Sequence, residues 1–118
     1  ACDIGVAPYD GARLPQLALG FFWSPLKIFE YMASGLPTVT VRRHPLDELV
    51  RDGEEGLLIA EADPAALAAA LERLAGDPDL RRRMGASARQ RVVERYSWDK
   101  HCAQLEALLL RLVAAGPR

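Results

Sequence analysis

A chain of 118 residues has room for one compact domain and not for two. Half of its residues are hydrophobic, 26% are charged and the formal net charge is −1. That is ordinary globular composition, and it argues against a nucleic-acid binder, whose domain is clearly basic.

The chain opens on Ala1-Cys2-Asp3-Ile4, which lacks the basic and apolar regions of a signal peptide. Cys2 and Cys102 lie far apart, without metal-type spacing, and read as reduced thiols of a cytoplasmic protein. Ile4-Gly5-Val6-Ala7-Pro8 predicts a buried strand ending at Pro8. An interior strand so near the start predicts that further residues precede Ala1. Residues 9–23 contain Gly11, Pro15 and Gly20 with no sustained period, and predict a loop with a helical turn near Leu14–Leu19. Ser24-Pro25 predicts a helix start, with Ser24 capping the free amides and Pro25 in the first helical position. That helix runs to Ser34 and stops at Gly35. Pro37-Thr38-Val39-Thr40-Val41 is rich in β-branched residues and predicts the second strand. A short helix from Pro45 to Arg51, stopped at Gly53, and a strand from Gly56 to Ala60 follow.

The remainder predicts helix. Asp63-Pro64 starts one helix with Leu67, Leu71 and Leu74 on one face, and Asp77-Pro78 starts the next with Leu80, Met84, Ala88 and Val92 in step. Ser97 caps the last, whose Trp98, Cys102, Leu105, Leu109 and Leu112 form an apolar stripe. The longest apolar run, Ala107 to Ala115, is broken by Arg111, so no transmembrane segment is expected. Alternating strands and helices imply an α/β fold: a Rossmann-like parallel sheet with crossover helices, incomplete at about three strands and helix-rich at its C-terminus. Right-handed crossovers gather the loops that follow the strands at one sheet edge, where ligands bind in open α/β sheets. The loop 9–23 and the start of the next helix lie at that edge.

That helix start carries the chemistry. Its tip offers the amides of Leu26 and Lys27, with the positive end of the dipole, to an anion. Lys27 adds a positive charge in the first turn, against the dipole, which an anionic partner explains. Glu30 lies one turn on, where its carboxylate can accept two hydrogen bonds from the vicinal hydroxyls of a ribose. Lys27 and Glu30 can equally form an exposed ion pair worth about half a kcal/mol. The residues alone leave both readings open.

The segment Ser24-Pro25-Leu26-Lys27-Ile28-Phe29-Glu30-Tyr31-Met32-Ala33-Ser34-Gly35-Leu36-Pro37, with the strand after it, resembles the donor-binding motif of retaining GT-B-fold glycosyltransferases of the family 4 type. The run from Glu30 to Val39 is similar, nearly residue for residue, to that family's Glu-x-Met-Ala-x-Gly-x-Pro-Val pattern. Glu48 to Leu58 resembles its next helix-turn-strand, and Tyr96-Ser97-Trp98 is a third match in the right order. The resemblance implies that residues 1–118 are part of a C-terminal nucleotide-sugar-binding domain, lacking the acceptor domain and the first strands of the donor domain. Those strands would carry the Arg and Lys that usually grip the diphosphate. It implies a metal-independent, retaining transferase with no cofactor beyond its substrate, a UDP-, GDP- or ADP-sugar. Glu30 would bind the ribose hydroxyls, and the backbone at Ser24, Leu26 and Lys27 would face the diphosphate or donor sugar. No catalytic residue is assigned within this chain, and the fragment is expected not to turn over alone.

Two departures stand out. Phe22 occupies the place of a second Glu that the family commonly sets near the transferred sugar, which leaves the donor's identity open. Ser24-Pro25 replaces a glycine-rich turn, and Pro25 removes one amide donor. A non-catalytic nucleotide-binding module and a GT-B-fold nucleotide-sugar epimerase are the alternatives. Of the other residues, His44 beside Arg42 and Arg43 reads as a solvated basic loop with no visible partner, and Asp10 as a turn-maker. His101 reads as a boundary residue. Arg81, Arg82, Arg83, Arg89, Arg91 and Arg95 scatter around their helix and read as a solvated surface. Trp98 either joins the core or packs against the missing domain, and an uncovered last helix would promote self-association.

Overall fold

The computed structural model describes residues 2–21 and 24–116. Its elements in chain order are β1 (Gly5–Ala7), a 3-10 turn (Pro15–Leu19), α1 (Leu26–Ala33), β2 (Thr38–Val41), α2 (Leu46–Leu49), β3 (Gly56–Ile59), α3 (Pro64–Gly76), α4 (Pro78–Arg95) and α5 (Trp98–Ala115). The strands form a parallel sheet in the order β1-β2-β3, with Gly5 opposite Thr38 and Thr38 opposite Gly56. The fold is thus the α/β, Rossmann-like arrangement expected from the alternation of strand and helix. All residues of β2 are buried, so the central strand is covered on both faces, as parallel sheets require.

The core follows the periodicities. Ile28 and Met32, one turn apart on α1, are fully buried against Val39 and Val41 of β2, with Leu46, Val50 and Leu57 alongside. Met84, Ala88 and Val92 bring α4 onto the same cluster, and Leu74 anchors α3. Asp63 and Asp77 cap α3 and α4 by accepting the amides of Ala66 and Leu80, each at 2.8 Å. Ser97 accepts the Lys100 amide at 3.4 Å.

At the end of α1, Gly35 adopts φ +72, its amide donates to Met32 and the Leu36 amide donates to Tyr31, each at 3.0 Å. This is a Schellman stop, and a residue with a Cβ fits it poorly. The stop also serves packing. A Cβ on Gly85 of α4 would come within 2.0 Å of the Gly35 carbonyl oxygen, so two glycines let α4 cross α1 closely.

Expectations for two helices are corrected here, and a third at His101 follows below. Ser24 does not cap α1, and Pro25 is not its first helical residue. Pro25 sits at the N-cap with φ −78 and ψ 64, and no side chain caps the helix. The Leu26 amide donates instead to the Ser24 carbonyl at 2.9 Å, so a tight backbone turn does the work assigned to the hydroxyl. The second concerns α4. Its arginines do scatter, but several are not simply solvated. Arg81 donates to the carbonyls of Leu74 and Ala75, Arg89 to that of Ala33, and Arg91 to those of Leu49 (3.1 Å) and Glu48 (2.7 Å). They supply donors to the orphan carbonyls at or near the C-terminal ends of α3, α1 and α2.

Glu55 is fully buried just before β3, yet its carboxylate is well satisfied. It accepts the Arg51 amide at 2.9 Å, the Arg51 guanidinium and the Ser87 hydroxyl at 3.3 Å. The last helix is the opposite case. No residue of α5 is buried, Trp98 and Val113 are each 79% exposed, and the molecule extends over 57 × 33 × 22 Å. His101 is therefore exposed rather than at a boundary, in edge contact with Trp98 at 5.7 Å. Among the described residues no helix is long and apolar enough to cross a membrane.

Candidate functional site

The site begins where β1 ends. Asp10 turns the chain: its carboxylate accepts the Ala12 amide at 2.9 Å, and its carbonyl accepts those of Arg13 and Leu14. Leu17 then plunges into the protein, 1% exposed, within the 3-10 turn. The chain returns so that the Phe21 ring meets the Tyr9 ring edge-on, with centroids 5.0 Å apart. A loop whose neck closes on itself and whose body packs with its own side chain is of the Ω type, a kind frequently functional. Phe22 lies outside the described residues.

From this loop the chain enters α1, whose start stands at the carboxyl-end edge of the sheet. Ser24, Leu26, Lys27 and Glu30 are all exposed. Lys27 reaches back over the loop, with Nζ 5.6 Å from the centroid of the Tyr9 ring. Burial raises the Tyr9 hydroxyl above its usual range, with a smaller contribution from Tyr31, so the ring stays neutral under the ammonium. Lys27 and Glu30 do not pair. Among the described residues the Glu30 carboxylate has no hydrogen-bond or ion-pair partner, although the Glu30 carbonyl accepts the Ser34 amide at 3.0 Å. The exposed salt bridge, one of the two readings of this pair, is not made. Of the two tip amides, that of Leu26 is spent in the turn with Ser24, whereas no described residue takes that of Lys27.

The rest of the segment has work inside the fold. Tyr31 packs beside Gly5 and donates to the Val6 carbonyl at 3.4 Å, Met32 is core, and Gly35 stops the helix. Pro37 is buried and its carbonyl accepts the Gly5 amide at 2.9 Å. Glu30 has no such structural role.

Two concavities lie nearby, one of them touching the helix tip at Ser24 and Leu26, and neither is lined by Lys27 or Glu30. One of about 330 Å³ opens over the ends of the strands and is lined by Tyr9, Asp10, Val41, Ile59, Ala60 and Asp63. Another of about 430 Å³ lies between α1 and the α4–α5 junction, lined by Ser24, Leu26, Phe29, Tyr96, Trp98 and His101.

The loop after β2 proves to be more than a solvated basic stretch. Arg42 pairs with Asp52 at 2.7 Å, and His44 Nδ1 lies 3.2 Å from Glu48, a partner one turn away that sequence reading left unnoticed. Arg43 is roughly three-quarters buried and binds both Glu61 and the Leu17 carbonyl. Neither Arg43, Glu61 nor Tyr9 was singled out in the sequence. Their only signal there is position, each within two residues of a strand's carboxyl end. Among the described residues no group of three His, Cys, Asp or Glu side chains gathers as metal ligands.

Against known proteins, residues 14–107 match the glycosyl transferase-like family. The chain is 39% identical over 110 residues to an MMP α-(1→4)-mannosyltransferase of Mycolicibacterium hassiacum, covering 92% of this chain and 26% of that protein. It is 38% identical over 78 residues to a D-inositol 3-phosphate glycosyltransferase of Streptomyces bingchenggensis, covering 66% of this chain and 17% of the other. Among solved structures, sucrose-phosphate synthase from Thermosynechococcus elongatus superposes with a TM-score of 0.74 at 32% identity, over 80% of this chain and 23% of that one. The chain thus spans about a quarter or less of the length of these relatives. With its parallel sheet, its motif helix at the ligand edge and a match over most of its length, the chain belongs to the glycosyl transferase-like family, of the family 4 type.

Proposed function

We propose that this chain is part of the donor-binding domain of a glycosyltransferase, and that it holds the nucleotide part of a nucleoside diphosphate sugar for transfer of the glycosyl group to an acceptor. The observation that carries this reading is the state of Glu30. It is an exposed, unpaired carboxylate one turn below a helix tip at the ligand edge, within a motif whose other residues largely serve the fold. The Lys27 ammonium and the positive end of α1 offer a place for the diphosphate, and Glu30 accepts the ribose hydroxyls one turn further on. The larger concavity reaches the tip at Ser24 and Leu26, and the one over the strand ends reaches Tyr9, whose ring lies under Lys27.

An acceptor domain and the first strands of the donor domain lie outside these residues. The share of each relative that the chain covers supports this. Transfer then proceeds by displacement of the nucleoside diphosphate, whose developing charge the helix tip stabilises, and needs no metal. The fragment alone does not turn over. The free thiols of Cys2 and Cys102 fit a reducing compartment, and we place the reaction in the cytoplasm.

The test is a thermal-shift panel of UDP-, GDP- and ADP-sugars against the full-length enzyme. One nucleotide class raises the melting temperature of the wild type. Glu30→Ala weakens that ligand about 30-fold, the loss of charged hydrogen bonds worth about 2 kcal/mol. Equal stabilisation of both proteins by every ligand removes Glu30 from the site.

A further inference from the structure

The loop between β1 and α1 is tied down by a pair of side chains with no part in the donor contacts proposed above. Arg43 follows the end of β2 and Glu61 follows the end of β3. Arg43 Nη1 donates to Glu61 Oε1 at 2.5 Å, and Nη2 donates to the Leu17 carbonyl at 2.8 Å. Glu61 Oε2 accepts the Gly11 amide at 2.9 Å. Two strands thus grip the loop at two separate points of its backbone. Both side chains are about a quarter exposed, so the pair is better shielded than the surface ion pairs of this chain. The charge-assisted, two-pronged geometry of the guanidinium fixes direction as well as distance.

The consequence falls at the helix tip. The gripped loop begins at Tyr9, whose ring lies under the Lys27 ammonium, and ends by leading into α1. Released, the loop's residues would have to be ordered each time a donor binds, at a conformational cost per residue that a pre-shaped loop has already met on folding.

We propose that Arg43 and Glu61 are positioning residues for donor recognition. They hold the loop after β1 in the shape that sets Tyr9 against Lys27 at the start of α1, and neither touches the donor. This rests on the reading of Lys27 and Glu30 as donor contacts.

The experiment uses steady-state kinetics on the full-length enzyme. The donor is whichever of UDP-, GDP- and ADP-glucose stabilises it most, and the variants are Arg43→Ala, Arg43→Lys, Glu61→Gln and, as the reference for the site, Glu30→Ala. Arg43→Ala raises the donor KM about tenfold, the cost of ordering roughly one backbone residue on binding, and leaves the acceptor KM unchanged. Arg43→Lys keeps the ion pair but loses the second prong to Leu17, so its donor KM falls between wild type and Arg43→Ala. Should Arg43→Ala fail to fold, Arg43→Lys and Glu61→Gln carry the comparison. Clasp variants with a wild-type donor KM, beside a raised one in Glu30→Ala, overturn the positioning role and leave the donor reading standing. Donor and acceptor KM rising together with a lowered melting temperature assign the pair to general stability and overturn it as well. A wild-type donor KM in Glu30→Ala removes the donor reading, and this inference with it.

Discussion

Glu30 and Glu55 show how burial divides the labour between two glutamates of one small chain. The Glu30 carboxylate stands in solvent with no described partner, so it contributes little to folding and is free to act. Glu55 is fully buried, and its carboxylate is committed to Arg51 and Ser87. Burial pushes the Glu55 carboxyl up, but the hydrogen bonds from Arg51 and the charges of Arg51 and Arg91 outweigh it, and the net shift is downward. A folded-state pKa below the unfolded one means stability that is present above the unfolded value and is lost as pH falls through the folded one. Glu55→Gln therefore lowers the stability of the full-length enzyme at neutral pH by about 1–2 kcal/mol, since Arg51 is left partly exposed and still paired with Glu54. It also flattens the fall in stability below about pH 5. Thermal melts of both proteins across that range check the slope as well as the offset. A parallel fall in the two proteins would mean that Glu55 is not the group titrating.

At the scale of elements, α4 is more than a packing helix. Beyond the core contacts of Met84, Ala88 and Val92, its arginines supply donors for the carbonyl ends of neighbouring helices. The short α2 depends on this most, since four residues cannot satisfy their own carbonyls. Arg91→Ala strips the donors from Leu49 and Glu48 and costs about 1–2 kcal/mol. Arg83, exposed on the same helix and without a described partner, is the control, and its replacement by Ala changes stability by less than about 0.5 kcal/mol. Chemical denaturation of the two variants separates capping from mere charge. Equal losses would return α4 to the solvated surface that its scattered arginines suggest.

For the whole molecule, α5 decides the behaviour of the 118-residue chain in solution. Leu105, Leu109 and Leu112 are each about half exposed, and Trp98 stands almost free. An apolar stripe of this length without cover drives association. The isolated chain is expected to self-associate in a concentration-dependent way in sedimentation velocity. Leu109→Glu combined with Leu112→Glu returns it to monomer with its helical circular dichroism intact. A wild-type monomer at high concentration would show that the stripe is harmless in water.

Much of this was legible in the residues themselves. Local chemistry acts over a few positions, so the Asp63, Asp77 and Ser97 caps, the Gly35 stop and the β-branched second strand could be read directly. The motif around Glu30 was legible through its resemblance to a known family, since the residues alone left Lys27 and Glu30 open between a site and an exposed ion pair. Only the tertiary structure decided which groups from distant segments meet. It spent the Leu26 amide in a turn with Ser24, drew Lys27 over Tyr9 instead of Glu30, and closed Arg43 on Glu61 and Leu17. It also turned scattered arginines into caps for other helices' carbonyls. Such pairings depend on distances between elements far apart in the chain, and those are set by how the layers pack, which no short window of sequence encodes.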